Sequence, residues 1–273
     1  MPFSVLISIY AKEQPEYLQE SLESVFNQTL SPDEVIIVED GSLTPSLYSV
    51  LEKYSSLHPE LKRIPLSKNL GLGRALNEGL RHCSYDLVAR MDTDDVCFPD
   101  RFATQVEYMD SHPDVSVVGC ATVGFECSID NEIYHKFLPT EPDEVSKYAG
   151  SRCPTSHPGC MFRKKDVLAA GGYIHQYLLE DYYLWVRMLA KGMKIGNIGR
   201  PLLYFRTSPD MYRRRGGLKY AQSELDFIIK MYHLGINSIG NTIKAIFLRI
   251  PIRLLPNFIR QRAYLHLRNK NKK

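Results

Sequence analysis

Apolar residues recur with two periods along the first hundred positions. Val5–Ile9 is a short β-rich run, and Val35-Ile36-Ile37-Val38 is apolar at every position, as a strand covered on both faces of a parallel sheet must be. Asp86–Met91 predicts a third strand. Between these runs the period lengthens. Behind Pro15, which suits the first turn of a helix, Leu18, Leu22, Val25 and Phe26 fall at helical spacing, and Leu72, Ala75, Leu76, Gly79 and Leu80 do so again. Pro99 opens a further helix toward Met109. Strand and helix in alternation predict βαβ units on a mostly parallel sheet.

Past residue 114 the pattern loosens into strand candidates at Val115–Cys120, Glu132–Leu138 and Gly159–Arg163, with a helix over Glu180–Ala190, which together suit a mixed sheet. Pro209 and the run Arg213-Arg214-Arg215-Gly216-Gly217 mark a boundary. Two helices follow, Leu218–Leu234 and Ile239–Ile250, separated by Gly235, and Pro251 is expected to break the second. The predicted architecture is a Rossmann-like α/β domain over residues 1–210 and a basic helical extension over 211–273.

Charge sharpens that division. The 273 residues have a formal net charge of +3, yet residues 211–273 hold 14 of the 34 Lys and Arg and only Glu224 and Asp226 of the 31 acids. A body of net −9 thus precedes an extension of net +12, with no acid after Asp226. Such asymmetry calls for an anionic partner and says little about the fold. The six cysteines lie far apart with no metal-site spacing, which argues against a disulfide framework or a structural zinc and leaves a reducing cytosol as the expected compartment. The opening MPFSVLISIY lacks the marks of a secretory leader. No uninterrupted apolar run reaches about 18 residues, so a soluble or surface-bound protein is expected.

The candidate chemistry lies where parallel sheets place it, beyond the carboxyl ends of strands. Glu13 follows the first strand, Asp40 the second and Asp92-Thr93-Asp94-Asp95 the third. Asp40-Gly41 alone is equally well a turn. Three carboxylates within four residues repel one another and are costly to fold without a cation or donors, and an all-oxygen set selects Mg²⁺ or Mn²⁺. An EF-hand is excluded because Val96-Cys97-Phe98-Pro99 supplies neither its glycine nor its distal Glu. The competing account is an acidic turn that caps the Pro99 helix.

Five segments together resemble one family: Ser4–Tyr10 running to Glu13, Val38-Glu39-Asp40-Gly41-Ser42, Asn69–Gly79, Met91-Asp92-Thr93-Asp94-Asp95 and Leu179-Glu180-Asp181. In this order and with these gaps the chain resembles an inverting glycosyltransferase of family 2, with the GT-A fold, over residues 3 to about 206. Ala11 stands where members often have Asn. The resemblance implies that Glu13 and Asp40 contact uridine, that Asn69 and Arg74 lie near the nucleotide, that Asp92 faces the ribose or the metal, and that Asp94 coordinates a divalent ion on the two phosphates. It also implies that Asp181 is the base that deprotonates the acceptor, with Glu180 as its neighbour. Simple helix-dipole stabilisation is the alternative for that pair. His157 is read either as a residue near the donor sugar or acceptor or as a structural one, and Arg206 either as a diphosphate ligand or as a solvated strand-end charge.

Ile239, Ile243, Ile246, Phe247 and Ile250 form one helical face flanked by Lys244 and Arg249, followed by Arg253, Arg260, Arg262, Arg268, Lys270, Lys272 and Lys273. An apolar stripe among cations is the composition of a helix lying on an anionic membrane surface. Packing on the core is the alternative for the stripe. No reading motif for nucleic acid accompanies the charge. Within the family, the chain looks most like bacterial enzymes that use UDP-galactose or UDP-glucose and build O-antigen or exopolysaccharide on undecaprenyl-diphosphate-linked GlcNAc, often through a β-1,3 bond, at the cytoplasmic face of the inner membrane. A sugar-nucleotide pyrophosphorylase lacks support, because Tyr10-Ala11-Lys12-Glu13 is not a Gly-rich phosphate loop. A glycosidase has no use for the acid cluster. A non-catalytic membrane-associated protein retaining the fold is the remaining alternative.

Overall fold

The computed structural model describes residues 1–208, 214 and 216–255, and among them nine strands form one sheet. β1 (Phe3–Ile9), β2 (Glu34–Glu39), β3 (Leu61–Pro65) and β4 (Leu87–Met91) are parallel, in the order β3-β2-β1-β4. The sheet continues through β8 (Met161–Arg163), antiparallel to β4, then β6 (Val115–Glu126), β9 (Lys194–Arg206) and the short β5 (Val96–Cys97), with β7 (Ser128–Lys136) on β6. The pairs Ile9↔Glu39 and Ile7↔Met91 bring the carboxyl ends of β1, β2 and β4 to one edge, so the loops that follow all emerge there.

Alternation along the central strands feeds two core layers. Val5, Ile7, Val35 and Ile37 pack against α1 (Pro15–Phe26), α2 (Pro45–Leu57) and α4 (Arg101–Ser111) through Leu18, Leu22, Leu47 and Phe102. Leu6, Ile36 and Val38 face the other way, toward α3 (Leu72–His82), α6 (Lys164–Ala169) and α7 (Glu180–Ala190) through Ala75, Leu76, Val167 and Trp185. Helix α3 lies so close to the sheet that a Cβ at Gly79 would sit 2.3 Å from Leu6 Cδ1 and 2.7 Å from Val38 Cγ2. The remaining helices are α5 (Pro142–Ala149), α8 (Leu218–His233) and α9 (Ile239–Leu254).

Several elements differ from the sequence-based expectation. The strand expected at Glu132–Leu138 is shifted to β7, and Gly159–Arg163 divides into a 3-10 turn at His157–Gly159 and β8. Pro99 stays outside its helix: it lies in the turn between β5 and Arg101, where the helix starts behind Asp100 at the N-cap. Pro251 does not end α9. The helix runs on to Leu254, where the Arg253 carbonyl accepts from Gly217 N–H and its side chain is tied to Glu224 of α8, which offsets the one backbone bond a proline removes. Pro209, Arg213, Arg215, Pro256 and the cations from Arg260 onward lie outside the described residues. Helix α8 shares a core with the body: Tyr220, Phe227 and Met231 pack on Leu179, Tyr182 and Val186.

Candidate active site

Every residue of β4 is buried, and Asp92-Thr93-Asp94-Asp95 turn where the chain leaves it, at the carboxyl edge shared with β1 and β2. Asp92, Asp94 and Asp95 each offer an oxygen within 4.8 Å of the others. Burial first, and then the Asp92 charge, pushes Asp94 up to about 6. Asp95, 1% exposed, is raised well above the usual carboxylate range by burial and by both neighbours. Its Oδ1 accepts the Arg206 amide at 2.8 Å, while Oδ2 meets no donor among the described residues. A hard, all-oxygen cluster with an unmatched buried oxygen fits a divalent cation. Glu13 joins from the loop after β1. It accepts a bond from the Thr93 hydroxyl, and burial followed by the Asp94 charge pushes it up to about 7.

The second loop is docked against the entrance to α3. The Asp40 carboxylate is buried, with Oδ1 accepting Leu70 N–H at 2.6 Å and Oδ2 accepting Gly71 N–H at 2.9 Å. Asn69 Nδ2 donates to the Asp40 carbonyl at 3.1 Å. Gly41 has φ of +86°, and a Cβ there would lie 2.7 Å from Asn69 N, so only glycine allows this close approach. Arg74, in the first turn of α3, is exposed. Asp40 and Asn69 therefore build one surface, with Arg74 one turn along it.

Glu180 and Asp181 open α7 beside the same helix. A Cβ on Gly73 would lie 3.5 Å from Glu180 Cγ, so the starts of α3 and α7 abut. Burial, then Asp181, pushes Glu180 up to about 7. Asp181 is half-buried, with Cys153 Sγ 3.9 Å from its Oδ2. Burial raises the Tyr173 phenol well above its ordinary value, and the charges of Asp181 and Asp92 add to that.

The structure decides between the alternatives for His157 and corrects both readings of Arg206. His157 is buried rather than at the surface: its Nε2 is 2.8 Å from Tyr173 Oη and its ring leans on Trp185, while burial and Arg90 hold its pKa well below the ordinary histidine value. It is thus a neutral core residue. Arg206 is neither solvated nor free for a diphosphate. Its Nε donates to the Asp94 carbonyl at 2.8 Å, Nη2 is paired with Glu20, and the guanidinium lies between the Tyr17 and Phe125 rings at 3.9 and 4.4 Å. It braces the acidic turn from below. Sequence reasoning gave Asp95 no role of its own and missed Arg90 and Tyr173; the first stands in the acidic run itself, but the other two are brought in only by tertiary packing.

Comparison with known proteins identifies the family and the fold. The profile of Glycosyl transferase family 2 matches residues 4–172. The chain is 42% identical over 232 residues to the amylovoran biosynthesis glycosyltransferase AmsE of Erwinia amylovora, covering 85% of each. It is 38% identical over 262 residues, 96% of this chain and 94% of the relative, to the UDP-Gal:alpha-D-GlcNAc-diphosphoundecaprenol beta-1,3-galactosyltransferase of Escherichia coli. The crystal structure of S. aureus TarS 1-349 in complex with UDP-GlcNAc superposes with a TM-score of 0.68 at 18% identity, over 93% of this chain and 72% of that one, which shows the GT-A fold. The chain spans 51% of a longer TarS chain.

Proposed function

Because the chain belongs to glycosyl transferase family 2, we propose that it is an inverting hexosyltransferase that moves galactose or glucose from the UDP-sugar to GlcNAc on undecaprenyl diphosphate. The bond formed is β-1,3, in the assembly of an O-antigen or exopolysaccharide repeat unit. The observation that supports this most is the near end-to-end likeness to the E. coli galactosyltransferase of that description, joined to acids gathered at the carboxyl edge of the sheet.

In this reading Asp94 and Asp92, with Asp95 as a further oxygen donor, hold Mn²⁺ or Mg²⁺. The ion, when bound, stabilises the charge that grows on the departing nucleoside diphosphate. Glu13 and Asp40 contact the uridine, and Asn69 and Arg74 line the nucleotide side. Asp181 takes the proton of the acceptor hydroxyl as that oxygen attacks the anomeric carbon from the face opposite the leaving group, with Glu180 as its supporting neighbour. His157 and Arg206 act from below the surface, through Tyr173 and the acidic turn.

Membrane attachment belongs to the same proposal. Among the described residues no helix is long and apolar enough to cross a membrane. Helix α9 instead exposes Ile239, Ile243, Leu248 and above all Phe247, 75% exposed, in a segment without acids. An uncovered apolar face among cations suits a peripheral position on the anionic cytoplasmic face of the inner membrane. Incubation with a panel of UDP-sugars and a synthetic GlcNAc-diphospho-lipid, read by product mass and linkage, tests the reading. A β-1,3 hexosyl product is expected, and no transfer from any UDP-sugar overturns it.

A further inference from the structure

Arg90 is wholly buried, at 0% exposure, in the penultimate position of β4. By strand alternation it shares the face of Val88 and lies toward the layer of Cys160, Tyr173 and Trp185. Among the described residues it bonds one carboxylate, Asp92, through Nη2, while its Nε and Nη1 meet no acceptor. Burying a guanidinium with so little return costs several kcal/mol, and a residue such as Met would fill comparable space without that cost. Packing alone does not account for Arg here.

The opposite face of the strand shows a matching contact. Arg101 of α4, also wholly buried, donates Nη2 to the Arg90 carbonyl at 2.6 Å and to the Cys160 carbonyl at 3.4 Å. The end of β4 is thus gripped twice, its main chain by Arg101 and the first acid of the turn by Arg90. Asp92 is the member of the cluster that needs this: its side chain is 32% exposed. Free of Arg90 it would rotate into solvent, away from Asp94 and Asp95, whose like charge repels it.

We propose that Arg90 is a positioning residue that aims the Asp92 carboxylate at the bound cation and nucleotide diphosphate, and offsets the mutual repulsion of the three acids, without touching either ligand. The inference rests on the proposed assignment of Asp92 and Asp94 to that site.

The test uses the full chain and reads binding rather than turnover. Mn²⁺ is titrated by electron paramagnetic resonance with UDP present, and UDP is titrated by calorimetry with Mn²⁺ present, for wild type, Arg90→Met, Arg90→Lys, Asp92→Asn and the Arg90→Met/Asp92→Asn double variant. Arg90→Met should keep the circular-dichroism spectrum and weaken Mn²⁺ binding by about tenfold or more, the loss typical of an outer-shell partner. Arg90→Lys should recover part of it. The double variant should bind no more weakly than Asp92→Asn alone, because both changes remove one coupled contact. A folded Arg90→Met with wild-type affinity, or losses that simply add in the double variant, overturns the inference. Should Arg90→Met fail to fold, Arg90→Lys decides: it retains the charge but not the fork, and unchanged Mn²⁺ affinity then counts against positioning. A wild-type chain that binds neither Mn²⁺ nor UDP overturns the functional reading itself, and the inference with it.

Discussion

Two regions of this molecule hold carboxylates under opposite conditions. At the end of β4, Asp94 and Asp95 face each other and Asp92, and both are raised, by burial and by like charge. In the extension, Glu224 of α8 is as buried as Asp95, yet it accepts from Arg249 Nε at 2.8 Å and from Arg253 Nε at 2.5 Å and Nη2 at 3.0 Å, and these partners hold it below the usual carboxylate range. One region is short of positive charge and the other is supplied by two guanidinium groups of its own chain. The contrast separates a structural acid from acids that are in place for something else, a distinction that burial alone does not make.

The largest effects should come from the deficient region and from the α7 acid proposed as the base. Replacing Asp94 or Asp181 by Asn is expected to lower kcat by about 10²–10⁴-fold, the range for loss of a positioned base or comparable charge stabilisation, with the melting temperature held or raised for Asp94→Asn. Near wild-type turnover in Asp181→Asn would remove it from the mechanism. In the supplied region the loss should be one of stability. Glu224→Ala strands two half-buried guanidinium groups and should cost about 2–4 kcal/mol in chemical denaturation, somewhat less than for a fully buried pair.

The two regions should also respond to pH with opposite sign. Folding raises Asp94 to about 6 and Glu13 to about 7 from values near 4, so the metal-free native state binds protons that the unfolded chain has released, and stability falls as pH rises through that window. Glu224 is depressed, so its contribution is present above about pH 4.5 and is lost as pH falls through its lower native value. Melting temperature without metal should therefore decline from about pH 5 to about pH 8, and Mn²⁺ should abolish most of the decline. A flat profile that Mn²⁺ leaves untouched would show that the acids are already compensated. The smallest effect concerns α9. Phe247→Glu should weaken sedimentation with anionic vesicles by about 1.5–3 kcal/mol while leaving the melting temperature unchanged, because this side chain touches little of the body.

The parts legible in the sequence are those set by local period. β1, β2, β4, α1 and α3 follow from spacing alone, and with them the edge where Glu13, Asp40 and the acidic run emerge. What was not legible is non-local. β5 is two residues long and exists only because it pairs with Leu203 and Tyr204 of β9. Arg206 reads as a strand-end charge until Glu20 and Tyr17, far away in the chain, are brought against it. Glu224 reads as one of the last two acids, and α9 reads as broken at Pro251; one ion cluster between α8 and α9 corrects both. α2 is a different case, since Leu47, Leu51 and Tyr54 recur at helical spacing and its exposed partner β3 is half polar, a weak pattern rather than an absent one.

The most direct test of the claim that the charge-deficient acids at the end of β4 serve glycosyl transfer is one assay run twice. UDP-galactose or UDP-glucose and the synthetic GlcNAc-diphospho-lipid are incubated with the protein in Mn²⁺ and again in excess EDTA, and the product is weighed by mass spectrometry. Product in the first and none in the second is the predicted result; full transfer in EDTA would contradict it.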